Sequence, residues 1–75
     1  MPKLPSTSPK ALIRFLKKQG FLIDHQTGSH LVLYRFTDKK RAVIPIHSKD
    51  LPKGTLLAIL KEAGFTREDF MSFSI

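Results

Sequence analysis

Residues 28–30 read Gly-Ser-His, and His30 opens the apolar run Leu31-Val32-Leu33-Tyr34. Histidine is the side chain whose ordinary titration lies nearest neutral pH, so it can both take and give a proton. A glycine turn placed before a strand would fix that imidazole at the strand's first position. RNA is a substrate such a group suits, because it carries its own nucleophile. The 2′-OH attacks the adjacent phosphate, and the protein need supply only a base, an acid and positive charge. His30 is therefore the candidate acid or base. The competing reading is a strand-end histidine without chemical duty, which composition alone favours. Gly28 is accounted for by the turn, which needs a residue tolerant of positive φ, and that role is compatible with positioning His30. Ser29 could donate a hydrogen bond to a phosphate or simply complete the turn.

Two further histidines, His25 and His47, read as solvated surface residues. A hairpin through residues 28–29 would also bring His25 close to His30, where it could supply a second proton-transfer group. The chain has no cysteine, so it can form neither a disulfide nor a thiolate metal site. The histidines have no carboxylate or thiol arranged with them at ligand spacing, so no metal and no cofactor is predicted.

Positive charge is the other chemical feature. Lys and Arg total 13 against 6 acids, a net charge of +7 on 75 residues, which predicts a polyanionic partner. Lys39, Lys40 and Arg41 cluster at an expected hairpin, where a phosphate contact and a solvated charge run are equally good readings. Lys49 and Lys53 flank the entry to a helix, and backbone N–H groups near Gly54 and Thr55 could bind a phosphate there. Tyr34 and Phe36 could stack on bases, although strand aromatics more often serve a core or an interface. The longest apolar run is five residues, Leu56 to Leu60, whereas a membrane span needs about 20. The start, Met-Pro-Lys-Leu-Pro, has no apolar signal run after it, so neither secretion by that route nor a membrane span is expected.

The elements that would position these residues follow from pattern. Ser8-Pro9 opens a helix over about Ser6 to Gln19, with Leu12, Ile13, Phe15 and Leu16 on one side and Gly20 at its end. Phe21-Leu22-Ile23 begins a short strand toward His25, residues 27–29 turn, and His30 to Phe36 is the clearest strand. After a turn over residues 37–40, Arg41 to Ile46 forms a third strand with Ala42, Ile44 and Ile46 on one face, and Pro45 marks it as an edge. A helix over Lys53 to Ala63 carries Leu56, Ile59, Leu60 and Ala63, and Gly64 stops it. Thr66 and Asp69 resemble a capping box that starts a short last helix bearing Phe70, Met71 and Phe73. The predicted class is α+β, in the order α-β-β-β-α with a short C-terminal helix. It is a single domain over residues 1–75, with a three-stranded antiparallel sheet and the helices on one face. Alternation puts His30, Val32, Tyr34 and Phe36 on one side of the middle strand and Leu31, Leu33 and Arg35 on the other. Both sides are apolar, so periodicity leaves the choice of core face open.

This order is similar to that of the double-stranded-RNA-binding domain. Several motifs narrow the likeness: Gly28-Ser29-His30 before a hydrophobic strand, Ile44-Pro45-Ile46-His47, Asp50-Leu51-Pro52-Lys53-Gly54-Thr55-Leu56 and Ile59-Leu60-Lys61-Glu62-Ala63-Gly64. Together with the Lys3-Leu4-Pro5 start and the Thr66 to Phe70 tail, they resemble the HicA family of toxins over nearly the whole chain. The resemblance implies the toxin half of a toxin–antitoxin pair: a cytoplasmic, metal-independent mRNA interferase neutralised by a HicB-type antitoxin. The histidine of the Gly-Ser-His motif, here His30, would carry the chemistry. One departure is local. Family members often carry Arg-Gln-Lys or similar just before Gly-Ser-His, and this chain has His25-Gln26-Thr27. The rival readings are a non-catalytic RNA-binding module of the same fold, and a subunit that binds only an acidic protein.

Overall fold

The Ser8 hydroxyl accepts a hydrogen bond from the Ala11 N–H at 3.2 Å, and Pro9 occupies the first turn, where its missing N–H costs no intrahelical bond. These two residues start α1, Pro9–Lys18, in a computed structural model that describes residues 6–46 and 49–74. The expected start at Ser6 moves to Pro9 because Thr7 is drawn into an isolated bridge with Leu51, whose N–H donates to the Thr7 carbonyl at 2.7 Å. Leu12, Phe15 and Leu16 are buried, while Lys10, Arg14, Lys17 and Lys18 are exposed. Gly20, at φ +95°, ends the element in the left-handed region that an L side chain resists.

Three strands follow: β1, Leu22–Thr27, β2, His30–Arg35, and β3, Lys40–Pro45. They form one antiparallel sheet in the order β1-β2-β3, which makes β3 an edge as Pro45 predicted. β1 begins one residue later than expected and runs to Thr27. Phe21 precedes it and is fully buried. Helix α2, Lys53–Ala63, has the predicted bounds and buries Leu56, Ile59, Leu60 and Ala63. Helix α3, Arg67–Ser74, is started by the reciprocal cap that the sequence suggested. The Asp69 N–H donates to the Thr66 hydroxyl at 3.1 Å, and the Thr66 N–H donates to the Asp69 carboxylate at 2.8 Å. No helix among the described residues is long and apolar enough to cross a membrane.

The choice left open on β2 is decided by the helices. Leu31 and Leu33 join Ala42, Ile44, Leu12, Phe15, Leu16, Leu56, Leu60 and Phe70 in one core. The opposite face has no layer over it among the described residues. All six residues of β1 are exposed, so this strand projects beyond the helical layer. The residues 47 and 48, the first five residues and Ile75 lie outside the described residues, which takes in His47 and Lys3-Leu4-Pro5.

Arg35 closes the far end of the sheet. Its guanidinium donates to the Asp38 carboxylate at 3.0 and 2.6 Å and to the Gln19 carbonyl at 2.8 Å. It also lies over Phe21 and Phe65, at 4.9 and 5.4 Å from the ring centroids. One side chain thus ties the end of α1, the β2–β3 turn and the aromatic core together. The hydrogen bond from Arg35 holds the Asp38 carboxyl below its ordinary range. A carboxyl depressed in the folded state contributes stability that is present above its unfolded value. That contribution is lost as pH falls through the folded one. Lowering pH from about 5 to about 2 should therefore depress the melting midpoint more in the wild type than in Asp38→Asn, as followed by circular dichroism.

Candidate functional site

The Gly-Ser-His segment is held by its own hairpin. Gly28 has φ +57°, while Ser29 stays outside the positive-φ region, the pattern of a two-residue turn with glycine first. The Gln26 side-chain amide donates to the Gly28 carbonyl at 3.0 Å. The Ser29 carbonyl accepts the Ile46 N–H at 2.7 Å, which anchors the turn to the end of β3. His30 is consequently fixed between Thr27 on one side and Pro45 on the other, with its side chain exposed at the first position of β2. A Cβ on Gly28 would meet nothing within 4 Å, so the constraint there is dihedral rather than steric. Gly28→Ala should cost about 1–2 kcal/mol. Gly28→Asn should recover part of that loss, because Asn tolerates the left-handed region better. Melting curves of the two variants check the ranking.

The strand register places His25 opposite Val32 and Thr27 opposite His30. Paired residues share a face, so His25 and His30 are diagonal neighbours on the uncovered side of the sheet. The hairpin brings the two together, as one sequence reading allowed. A β-bulge lies between Ile23 and His25, with Asp24 as the extra residue. In a regular strand Asp24 and His25 would point to opposite faces. The bulge re-aims them, and the Asp24 carboxylate sits 2.7 Å from His25 Nδ1. Asp24 is the polar residue that sequence reasoning missed. Alternation alone gives no signal for it, since a bulge is set by how the whole strand pairs.

Asp24, His25, Val32, Tyr34, Phe36 and Arg41 line a shallow depression of about 310 Å³ on this uncovered face. Tyr34 and Phe36 meet edge to face at 4.8 Å, and Phe36 is 69% exposed. These aromatics therefore lie outside the core.

The positive charges predicted to meet a polyanion separate into groups. Lys49 and Lys53 lie on the segment that leaves β3 at Ile46, at the end of the sheet that carries His30. Lys49 lines a groove of about 430 Å³ with Lys10, Ser8, Pro9, Ile13 and Ile46. Helix α2 begins beside it with Pro52 at its N-cap, and among the described residues no side-chain hydrogen bond closes its first turn, so its first-turn N–H groups are suited to an anion. Lys39 and Lys40 stand at the opposite end, in and after the β2–β3 turn, and the Lys40 side chain approaches Gly64 at the end of α2. Arg41, paired with Tyr34, is on the uncovered face. The sequence cluster 39–41 is thus split between two directions. Among the described residues no group of three His, Cys, Asp or Glu side chains gathers at one point.

The sequence model of the family described as "HicA toxin of bacterial toxin-antitoxin" matches residues 9–65. The chain belongs to the HicA toxin family. It is a toxin of a toxin–antitoxin system, and a HicA toxin implies an antitoxin partner. The match runs from the first residue of α1 to Phe65, so it includes Gly28-Ser29-His30, the three strands and α2. The Lys3-Leu4-Pro5 start and helix α3 fall outside the matched span. No curated protein sequence matches the chain.

Proposed function

We propose that this HicA toxin is an endoribonuclease that cleaves mRNA without a metal, with His30 as catalytic acid or base. RNA supplies the nucleophile. One imidazole removes the 2′-OH proton as that oxygen bonds to phosphorus, and the P–O5′ bond breaks with a proton delivered to the leaving oxygen. The products are a 2′,3′-cyclic phosphate and a 5′-OH. The observation that carries this reading is the placement of His30. It is exposed at the first position of β2 and set there by the Gly28 turn, at the sheet end from which the chain leads on to Lys49, Lys53 and the start of α2. Those cations and N–H donors suit the phosphates on either side of a scissile bond. Gly28 and Ser29 would hold backbone close to the same phosphate. Lys39, Lys40 and Arg41 would contact RNA farther along the strand. The partner that restrains the toxin is then a HicB-type antitoxin, and the place of action is the cytoplasm, where mRNA is translated.

The competing reading is an RNA-binding module of the same fold without chemistry. It draws on the altered stretch 25–27, where His25 and Thr27 stand in place of the Arg and Lys that family members often carry, which leaves less fixed positive charge beside the scissile phosphate. Incubating purified chain with RNA, with His30→Ala in parallel and EDTA present, separates them. Cleavage by the wild type that is lost in the variant supports the enzyme. Salt-sensitive binding without cleavage by either protein supports the module.

A further inference from the structure

We propose that His25, oriented by Asp24, is the second proton-transfer residue of the same site, working opposite His30. The proposal rests on the ribonuclease reading above and names the group that the reaction still lacks. Strand scission moves two protons, one off the 2′-oxygen and one onto the 5′-oxygen, on opposite sides of phosphorus. A single imidazole reaches one side well. Two observations put a second imidazole in range. The register makes His25 and His30 diagonal neighbours on one face, a spacing of about 7–8 Å between backbones, wide enough for a phosphodiester to lie between the rings. The bulge at Asp24 then turns a carboxylate onto that same face, 2.7 Å from His25 Nδ1. With the carboxylate as acceptor, Nδ1 carries the hydrogen and Nε2 is left to face substrate.

Among the described residues, the titratable and charged groups on the face of His25 come from all three strands. Asp24 is beside it on β1, Tyr34 and His30 come from β2, and Arg41 comes from β3. Arg41, level with Tyr34, supplies positive charge on the side of His25 away from His30, where the RNA strand would continue past the scissile bond. The depression lined by His25, Val32, Tyr34 and Phe36 continues from this point. A base next to the scissile bond would find an aromatic surface there.

The reaction balances within the pair. One histidine accepts the proton of the 2′-OH as the P–O2′ bond forms. The other gives its proton to O5′ as the P–O5′ bond breaks. Their protonation states are exchanged, and water restores them before the next turnover.

The test uses the full chain and two short RNA substrates, one ordinary and one with sulfur in place of the scissile 5′-oxygen. The sulfur departs without needing a proton. Rates are measured across pH for wild type, His25→Gln, His30→Ala and Asp24→Asn, with melting curves to confirm that each variant is folded. On ordinary RNA the wild type should give a bell-shaped profile. His25→Gln and His30→Ala should each slow cleavage by about 100-fold or more and each remove a different limb of the bell. Sulfur substitution should restore one of these two variants to within about tenfold of wild type and leave the other slow. Asp24→Asn should move the limb that His25→Gln removes, as expected of a residue that positions His25. The proposal is overturned if a folded His25→Gln stays within about threefold of wild type, keeps both limbs, or if sulfur restores neither histidine variant. A wild type that needs His30 and not His25 overturns this proposal alone. A wild type that cleaves no RNA overturns the ribonuclease reading with it.

Discussion

Replacing His30 by alanine should lower RNA cleavage by about 10²–10⁴-fold while leaving the melting curve almost unchanged. The two halves of this expectation have separate causes. Proton transfer by a positioned side chain is worth that much rate, and the residues paired with His30, Thr27 and Pro45, cannot supply it, while Lys49 and Lys53 supply charge. The fold, by contrast, does not use the imidazole as core. His30 is exposed, and the buried residues of β2 are Leu31, Val32 and Leu33, so truncation should alter stability by only about 0.5 kcal/mol or less. Induction in a growing culture gives a second readout. Arrest by the wild type and normal growth with His30→Ala would place toxicity and cleavage on the same residue. Equal cleavage by both proteins would remove His30 from the chemistry.

The largest effect on stability is expected at Phe15. It is 1% exposed and packs edge to face against Phe65, Phe70 and Phe73, at centroid distances of 5.1, 5.2 and 5.3 Å. That geometry sets the positive ring edge against a negative ring face, a gain beyond simple area burial. Phe15→Ala removes the α1 ring on which Phe65, just past the end of α2, and α3 converge, and should cost about 3–5 kcal/mol. A domain of this length is stable by only about 4–11 kcal/mol. The variant should therefore melt far below the wild type, and α3, whose Phe70 and Phe73 pack on this ring, should lose part of its anchorage. Chemical denaturation followed by tyrosine fluorescence and circular dichroism measures the loss. A shift of less than about 1 kcal/mol would show that the cluster contributes little.

These two variants pull function and folding apart. His30→Ala should melt like the wild type and cleave far more slowly. Phe15→Ala should lose activity only in proportion to the fraction unfolded. Comparing them guards against reading a folding defect as a catalytic one.

Much of the site was legible in the chain because its signals are local. Ser8-Pro9 announces a helix start through one side-chain acceptor and one absent donor. Thr66 and Asp69 announce another, and Gly28 marks a turn that needs positive φ. The α2 stripe Leu56, Ile59, Leu60 and Ala63 repeats at helical spacing, and all four residues are buried. Each depends on residues a few positions apart, so the sequence determined the element types, their order and the place of His30 at a strand end. The family followed from the order of the same motifs.

Tertiary structure decided what depends on distant chain. Which side of β2 becomes core was not readable, since Leu31-Leu33 and Val32-Tyr34 are equally apolar. The answer came from where α1 and α2 land. Helix α1 starts at Pro9 rather than Ser6 because Leu51, far along the chain, takes Thr7 into a bridge. Residues 39–41 look like one basic patch in sequence, yet strand alternation and the turn send Arg41 to the uncovered face and Lys40 toward the end of α2. The pairing of Asp24 with His25 exists only because β1 is bulged against β2. Sequence neighbours on a regular strand face apart, and only the register of one strand against another can turn them to the same side.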